Sequence, residues 1–136
     1  MRSYMINRAL FSSNKQDWKT PTQVYKALNN EFHFDFDPCP VNHDFDGFGV
    51  SWGKSNFINP PYKEIYRWIS KGFNEYKLGK TCVFLLPSRT GTKWFHDFAL
   101  KATEIRFIRG RLRFEGAQWD APFDSCIVIF DNRRNY

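Results

Sequence analysis

Residues 81–86, with the sequence Thr-Cys-Val-Phe-Leu-Leu, form an apolar run of strand length that ends at Pro87. A strand with one face in solvent alternates polar and apolar residues, so an uninterrupted run indicates a strand covered on both faces. Amphipathic helical patterns lie on either side of this run, at residues 63–76 and 90–102. The sequence therefore predicts an α/β fold with a mixed, mostly parallel sheet flanked by helices.

The rest of the chain supplies further elements of the same kind. Apolar periodicity predicts a helix that begins near Pro21, with Thr20 as its N-terminal cap. Apolar or alternating runs predict strands at residues 32–37, 56–59, 104–108 and 125–130. Residues 38–55 are rich in Pro, Gly, Asn and Asp, which indicates a long loop with at most a short strand at 48–52.

Length and charge restrict the class of protein. A chain of 136 residues is expected to form one domain, which we place at residues 17–136 after a flexible arm at residues 1–16. No run approaches a membrane span and no signal segment opens the chain, so we expect a cytoplasmic protein without membrane contact. The net charge of +6 and the aromatic content of 19% suit contact with phosphates and flat bases. The sequence does not determine the oligomeric state, although a monomer is slightly favoured.

The cysteines do not indicate disulfides or a metal site. Cys39, Cys82 and Cys126 are an odd number spread along the chain without a Cys-x-x-Cys pair. Cys39 and His43 provide only half of a zinc site, so no metal is expected. Cys82 and Cys126 lie in apolar runs and are predicted to be buried.

One short segment carries candidate chemistry: Asn59-Pro60-Pro61-Tyr62 follows a predicted strand and precedes a predicted helix. In open α/β sheets, ligands bind beyond the carboxyl ends of the strands. Consecutive prolines hold the backbone extended and leave their carbonyl groups as acceptors. The Asn59 carbonyl oxygen and the Tyr62 ring complete a slot for a planar group that carries an NH2.

Such a slot suits methylation of an amine. The exocyclic amine of adenine is a weak nucleophile because its lone pair is delocalised into the ring. Acceptors on its two N–H bonds, here the Asn59 side chain and the Pro60 carbonyl, would localise that lone pair for attack on a methyl group. Tyr62 would stack on the base and fix its plane.

These motifs carry a resemblance to a known family. In order, the matching segments are Asp17–Pro21, Phe34–Cys39, Trp52, Asn59–Tyr62, Leu85–Pro87 with Trp94-Phe95, and Gly110–Phe114, followed by a final apolar strand. This pattern resembles the small phage and prophage DNA adenine methyltransferases of the Dam-like family. The resemblance implies a single-domain, Rossmann-like class I methyltransferase that methylates the adenine amine in DNA with S-adenosylmethionine as cofactor.

The resemblance also implies roles for individual residues. Asn59, Pro60, Pro61 and Tyr62 would form the catalytic motif. The implied cofactor-binding residues are Trp18, Thr20, Pro21, Asp35, Asp37, Pro38 and Cys39. Asp37 would be the acidic residue of the cofactor loop, and a helix N-terminus near Thr20 could receive the cofactor carboxylate.

Basic residues near the motif are candidates for contacts with DNA phosphates. They are Lys63, Arg67, Arg89, Arg111 and Arg113. Arg109, Arg111 and Arg113 alternate and could present one basic face of a strand, or they could be a solvated edge. A duplex base must be flipped out to reach such a site, and sequence preference would have to come from the loops at residues 40–55 and 115–124.

Two alternative functions stay open at this level. A protein glutamine N-methyltransferase would present a similar planar amide to the same motif. A non-catalytic, basic nucleic-acid-binding module is favoured by one departure from the family pattern, because residues 38–42 lack the usual glycine-rich turn. The acidic residue for the cofactor ribose is also not identified.

Overall fold

The computed structural model describes residues 18–40 and 45–133. These residues form the helices α1 (Thr22–Phe32), α2 (Ile65–Lys77) and α3 (Lys93–Asp97), and the strands β1 (Ser55–Ile58), β2 (Thr81–Pro87), β3 (Glu104–Phe107) and β4 (Ser125–Phe130). Single 3-10 turns at Tyr62–Glu64 and Ala99–Lys101 precede α2 and follow α3. The arm predicted at residues 1–16 lies outside the described residues.

The strands of the described region form one sheet in the order β1-β2-β4-β3. β1 and β2 are parallel and are joined by the crossover helix α2. β4 lies between β2 and β3 and is antiparallel to both. The predicted α/β class and mixed sheet are confirmed, but the prediction of a mostly parallel sheet is wrong. The connection from β3 to β4 contains no helix that would carry the chain back across the sheet, so β4 returns in the antiparallel direction.

Both faces of the sheet are covered, as the apolar run at residues 81–86 predicted. All seven residues of β2 are buried. Phe84 contributes to a cluster with Trp68 and Ile69 of α2, whereas Val83 points to a second cluster that includes Phe32 of α1. The central strand is therefore packed between helices, and its carboxyl end is held at a fixed place in the molecule.

Two predicted strands are absent from the described residues. At 32–37, α1 continues to Phe32 and His33 adopts a left-handed conformation with φ 50°, so only Phe36 remains to form an isolated parallel bridge to Asn56. At 48–52, turns and bends replace the short strand. Phe32 is buried and Phe34 and Phe36 are half-buried, but their alternation did not indicate where the backbone turns.

The helix predicted at residues 90–102 is much shorter in the structure. The hydroxyl of Thr92 accepts a hydrogen bond from the backbone N–H of Phe95 at 3.3 Å, and this cap fixes the start of α3. Phe98 leaves the helical region at φ −127° and ψ −50°, which separates α3 from the following 3-10 turn. The apolar stripe survives this break, since Trp94, Phe95 and Ala99 are all buried.

No helix in the described part of the chain has the length and apolar character needed to span a membrane. Within the same residues, His, Cys, Asp and Glu side chains form no group of three that could hold a metal ion; His43 lies outside them. Cys82 and Cys126 are completely buried, as predicted, and burial raises the pKa of Cys82 to about 12.

Candidate active site

The segment Asn59–Tyr62 leaves the carboxyl end of β1 and leads into α2. Pro61 is extended, with φ −60° and ψ 140°, and its carbonyl accepts a hydrogen bond from the Glu64 N–H at 3.1 Å. The two proline rings restrict the backbone and the 3-10 turn fixes its far end. The segment is therefore a rigid support at the carboxyl edge of the parallel strand pair.

The Asn59 side chain is oriented by two acceptors from an earlier part of the chain. Its Nδ2 donates hydrogen bonds to the Trp18 carbonyl oxygen and, at 3.0 Å, to the Thr20 Oγ1. Both acceptors contact the amide nitrogen, so Oδ1 must point the other way. Among the described residues, no group donates a hydrogen bond to Asn59 Oδ1 or to the Pro60 carbonyl. The motif thus keeps two acceptors for an incoming donor.

The Tyr62 ring lies in an aromatic wall beside these acceptors. It stacks on Trp18 with ring centroids 5.9 Å apart and an interplanar angle of 18°, and it meets Phe123 edge-on at 5.2 Å. The Arg89 guanidinium lies 5.5 Å from the ring centroid. Burial raises the pKa of the Tyr62 hydroxyl far above its usual value, although Arg89 acts in the opposite direction. Tyr62 is therefore a neutral, flat contact surface and not a base.

A loop between β3 and β4 holds the Trp18–Thr22 segment in place. The Glu115 N–H donates to the Lys19 carbonyl at 3.0 Å, and the Glu115 carboxylate accepts from the Thr22 N–H at 3.1 Å. Phe114 and Phe123 of the same loop pack edge-on against Trp18, at 5.3 and 5.6 Å between centroids. These contacts bring the start of α1, the loop and the Asn59 motif into one site.

A pocket of about 430 Å³ opens next to this segment. Its lining residues are Lys19, Thr20, Thr22, Tyr25, Lys26, Asp37 and Phe57. Burial first, and then the negative charge of Asp37, raise the pKa of Tyr25. Thr20 belongs both to the pocket wall and to the hydrogen bonds of Asn59, so the two sites share a boundary.

Sequence reasoning missed five of the seven residues that line the pocket. They are Lys19, Thr22, Tyr25, Lys26 and Phe57. Thr22, Tyr25 and Lys26 have the spacing of one helix face, which is a signal that could have been used. Lys19 and Phe57 had no such signal, because their place depends on how α1 docks against β1.

The structure separates the predicted cofactor residues into two groups. Trp18, Thr20 and Asp37 lie at or next to the pocket, and Pro21 stands at the N-terminal end of α1. The predicted role of Thr20 as a helix cap is wrong, because Pro21 occupies that position and the Thr20 hydroxyl contacts Asn59 instead.

The remaining three residues do not line the pocket. The Asp35 carboxylate accepts hydrogen bonds from the Lys54 and Ser55 N–H groups at 3.3 and 3.1 Å, at the amino end of β1. Pro38 and Cys39 are buried in the turn that follows Asp37, whose Oδ1 accepts from the Cys39 N–H at 2.9 Å. These residues shape the loop that carries Asp37.

The predicted basic residues occupy different environments. Lys63 and Arg67 are exposed near the start of α2, and the Arg67 guanidinium lies 3.7 Å from the centroid of the Phe48 ring. The residues Arg111 and Arg113 are not on a strand, so the suggested basic strand face is wrong. They lie in a loop that also contains their acidic partners. The Nε atom of Arg111 is 3.9 Å from Oδ1 of Asp124, and that of Arg113 is 3.0 Å from Oδ1 of Asp120.

Fold and site together define an α/β protein in which the Asn59 motif lies beside a pocket at the carboxyl edge of the parallel strand pair. The family model described as DNA N-6-adenine-methyltransferase (Dam) matches residues 8–132. A DNA N-6-adenine-methyltransferase of Haemophilus phage HP1 (strain HP1c1) is 29% identical over 144 residues, which cover 91% of this chain and 83% of the phage protein. No solved structure matches the chain.

The chain belongs to the DNA N-6-adenine-methyltransferase (Dam) family, which confirms the resemblance seen in its motifs. It is accordingly a DNA adenine methyltransferase. Of the functions that the sequence left open, the family selects methylation of DNA over methylation of protein glutamine and over a non-catalytic binding module.

Proposed function

We propose that this protein transfers a methyl group from S-adenosylmethionine to the adenine amine of DNA, and that Asn59 Oδ1 and the Pro60 carbonyl hold that amine. The observation that carries the proposal is the orientation of the Asn59 amide. Its two N–H groups are engaged by Trp18 and Thr20, which leaves an oxygen for the substrate. An amine with two N–H donors matches two acceptors on a rigid segment.

The chain's residues favour the nucleophilic form of the amine. Hydrogen bonds from both N–H groups to Asn59 and Pro60 favour a non-planar nitrogen. The lone pair is then less delocalised into the adenine ring and can attack the methyl group. S-adenosylmethionine, held by the pocket residues, would supply an electrophilic methyl group: the new N–C bond would form as the S–CH3 bond breaks, the thioether S-adenosylhomocysteine would leave, and the extra proton of the amine would pass to solvent water. Tyr62 holds the plane of the base and, as a neutral phenol, takes no proton. Positioning therefore accounts for the chemistry without a general base in the motif.

The residues that line the pocket beside Thr20 have the chemistry needed to hold S-adenosylmethionine. Tyr25 and Phe57 offer apolar surfaces for an adenine ring, and Asp37 offers a carboxylate for hydroxyl or amino groups. Lys19 and Lys26 can pair with a carboxylate. We assign Trp18 and Pro21 to the frame of this pocket, and Asp35, Pro38 and Cys39 to the loop that presents Asp37.

The parallel pair β1 and β2 with its crossover helix supports a Rossmann-like class I assignment for the sheet. In such folds the ligand lies beyond the carboxyl ends of the parallel strands, which is where the Asn59 motif and the pocket are found. We propose one catalytic domain over residues 17–136. The exposed residues Lys63, Arg67, Arg111 and Arg113, together with the half-buried Arg89, are proposed to contact DNA phosphates around a flipped base.

Methyl transfer to unmethylated DNA tests the proposal directly. With tritium in the methyl group of S-adenosylmethionine, the parent protein is expected to label DNA, and Asn59→Ala is expected to lose about 100-fold or more in rate. Calorimetry should show that both proteins bind the cofactor with similar affinity, because Asn59 does not line the pocket. Equal transfer by Asn59→Ala would contradict the assigned role of Asn59. If calorimetry detects no binding heat with S-adenosylmethionine, the assignment of this molecule as the cofactor is contradicted.

A further inference from the structure

We infer that the Thr20 hydroxyl is a positioning group, which orients the Asn59 amide for methyl transfer; this inference rests on the proposed function. Thr20 begins the segment that leads into α1, where a threonine normally caps a helix. It makes no such cap, and its Oγ1 instead accepts a hydrogen bond from Asn59 Nδ2 at 3.0 Å. The two residues are 39 positions apart in the sequence.

The orientation of Asn59 decides whether the site attracts or repels an amine. The terminal torsion of asparagine has two broad states, which exchange the positions of oxygen and NH2. If the amide were reversed, its NH2 would face the substrate amine and its oxygen would face the Trp18 carbonyl. Thr20 and Trp18 together hold the productive state, because both present oxygen atoms to the same nitrogen.

The position of Thr20 is itself fixed from a third part of the chain. The backbone on either side of Thr20 is bonded to Glu115, through the Lys19 carbonyl and the Thr22 N–H. Phe114 and Phe123 pack on the neighbouring Trp18. The Thr20 hydroxyl is thus presented to Asn59 by a braced segment and not by a freely moving terminus of a helix.

Thr20 also lines the proposed cofactor pocket, so the experiment must separate positioning from cofactor binding. Thr20→Val keeps the side-chain shape and removes the acceptor, whereas Thr20→Ser keeps the acceptor. Thr103→Val is a matched control, because the Thr103 hydroxyl also accepts one long-range hydrogen bond, from the Asp131 N–H at 2.9 Å, but at the far end of the sheet. Each variant is measured for single-turnover transfer to unmethylated DNA, for S-adenosylmethionine affinity by calorimetry, and for thermal unfolding.

Thr20→Val is expected to transfer methyl about 10-fold more slowly at saturating cofactor, because one N–H of Asn59 loses its partner. Its affinity for S-adenosylmethionine is expected to stay within about 2-fold of the parent, which is less than 0.5 kcal/mol by the usual conversion. Thr20→Ser should restore most of the rate. Thr103→Val should lower the melting temperature without changing the rate.

Three results would overturn the inference. One is a parental rate in Thr20→Val while Asn59→Ala is inactive. The second is a Thr20→Val defect that disappears at higher cofactor concentration, since Thr20 would then act only in binding. The third is a Thr20→Ser variant as slow as Thr20→Val.

If Thr20→Val unfolds at the assay temperature, Thr20→Ala removes the same acceptor with less bulk. An inactive parent protein would instead reject the proposed function, and the inference with it.

Discussion

An asparagine carries an acceptor and a donor on one planar group, so the partners of its nitrogen determine where its oxygen points. In this protein the nitrogen of Asn59 faces Trp18 and Thr20, and the oxygen is left for a substrate. Both ends of the amide are therefore used, one for orientation and one for chemistry. A residue that supplied only an acceptor would satisfy half of this requirement.

Asn59→Asp tests that requirement. The substitution keeps an acceptor for the amine, but it places a carboxylate oxygen against the Trp18 carbonyl and removes both donors. Methyl transfer is expected to fall about 10- to 100-fold, the effect of roughly 1–3 kcal/mol for unmatched polar groups. Single-turnover rates measure the effect, and Asn74→Asp on the exposed face of α2 serves as the control. A fully active Asn59→Asp would mean that the acceptor alone is sufficient.

At the scale of elements, the close approach of α2 to β2 sets the position of the motif that precedes α2. Gly72 lies in the middle of α2 and faces Phe84 of the central strand. A Cβ atom at Gly72 would stand 2.4 Å from Cζ of Phe84, which is itself completely buried. The helix can lie this near the sheet only because position 72 has no side chain.

Gly72→Ala is therefore expected to destabilise the protein, although alanine is the better helix former. The helix propensity of alanine contributes about 1 kcal/mol in its favour, whereas overpacking of a buried site typically costs about 1–3 kcal/mol. We expect a net loss of up to about 2 kcal/mol, seen as a lower melting temperature. Gly91→Ala is the control, since a Cβ there meets no atom within 4 Å. An unchanged or higher melting temperature for Gly72→Ala would show that Phe84 can move aside.

Sequence patterns were most informative where a signal is local. The runs that became β2 and β4 and the stripe that became α2 were predicted within a few residues, because burial on both faces or on one helix face imposes its own period. Contacts between residues that are far apart in the sequence could not be predicted from such local patterns. The sequence predicted Thr20 as a helix cap, but its hydroxyl contacts Asn59, which is distant in the sequence. The alternation of arginines suggested that Arg113 lies on a strand face, but it lies in a loop where it pairs with Asp120.

At the scale of the whole molecule, the proposed site and the basic side chains beside it lie at one edge of the sheet. Helix α2 runs from that edge, where Lys63 stands next to the motif, to the opposite edge, where Lys77 ends the helix. Both lysines are exposed. The same element therefore provides a charge near the proposed DNA surface and an equivalent charge far from it.

Lys63→Gln and Lys77→Gln remove the same charge at these two ends. If DNA binds at the carboxyl edge, Lys63→Gln should weaken DNA binding and reduce the slope of log K against log salt by about 0.9, the value for one phosphate contact. Lys77→Gln should leave the slope unchanged. Binding titrations between low and moderate salt make the comparison, and equal effects of the two variants would show that net charge alone governs the binding.

The place of β4 in the sheet has a consequence for the synthesis of the protein. β4 is made after β2 and β3, yet it lies between them and pairs with both. At roughly 5–20 residues per second, a ribosome needs about 2–9 s to advance from Pro87 to Phe130. During that interval one edge of β2, all of whose residues are buried in the finished protein, has no partner, which is the situation that leads unfinished chains to associate with one another. We therefore expect the nascent chain to be prone to association with its neighbours until β4, the strand that completes the sheet, has been made.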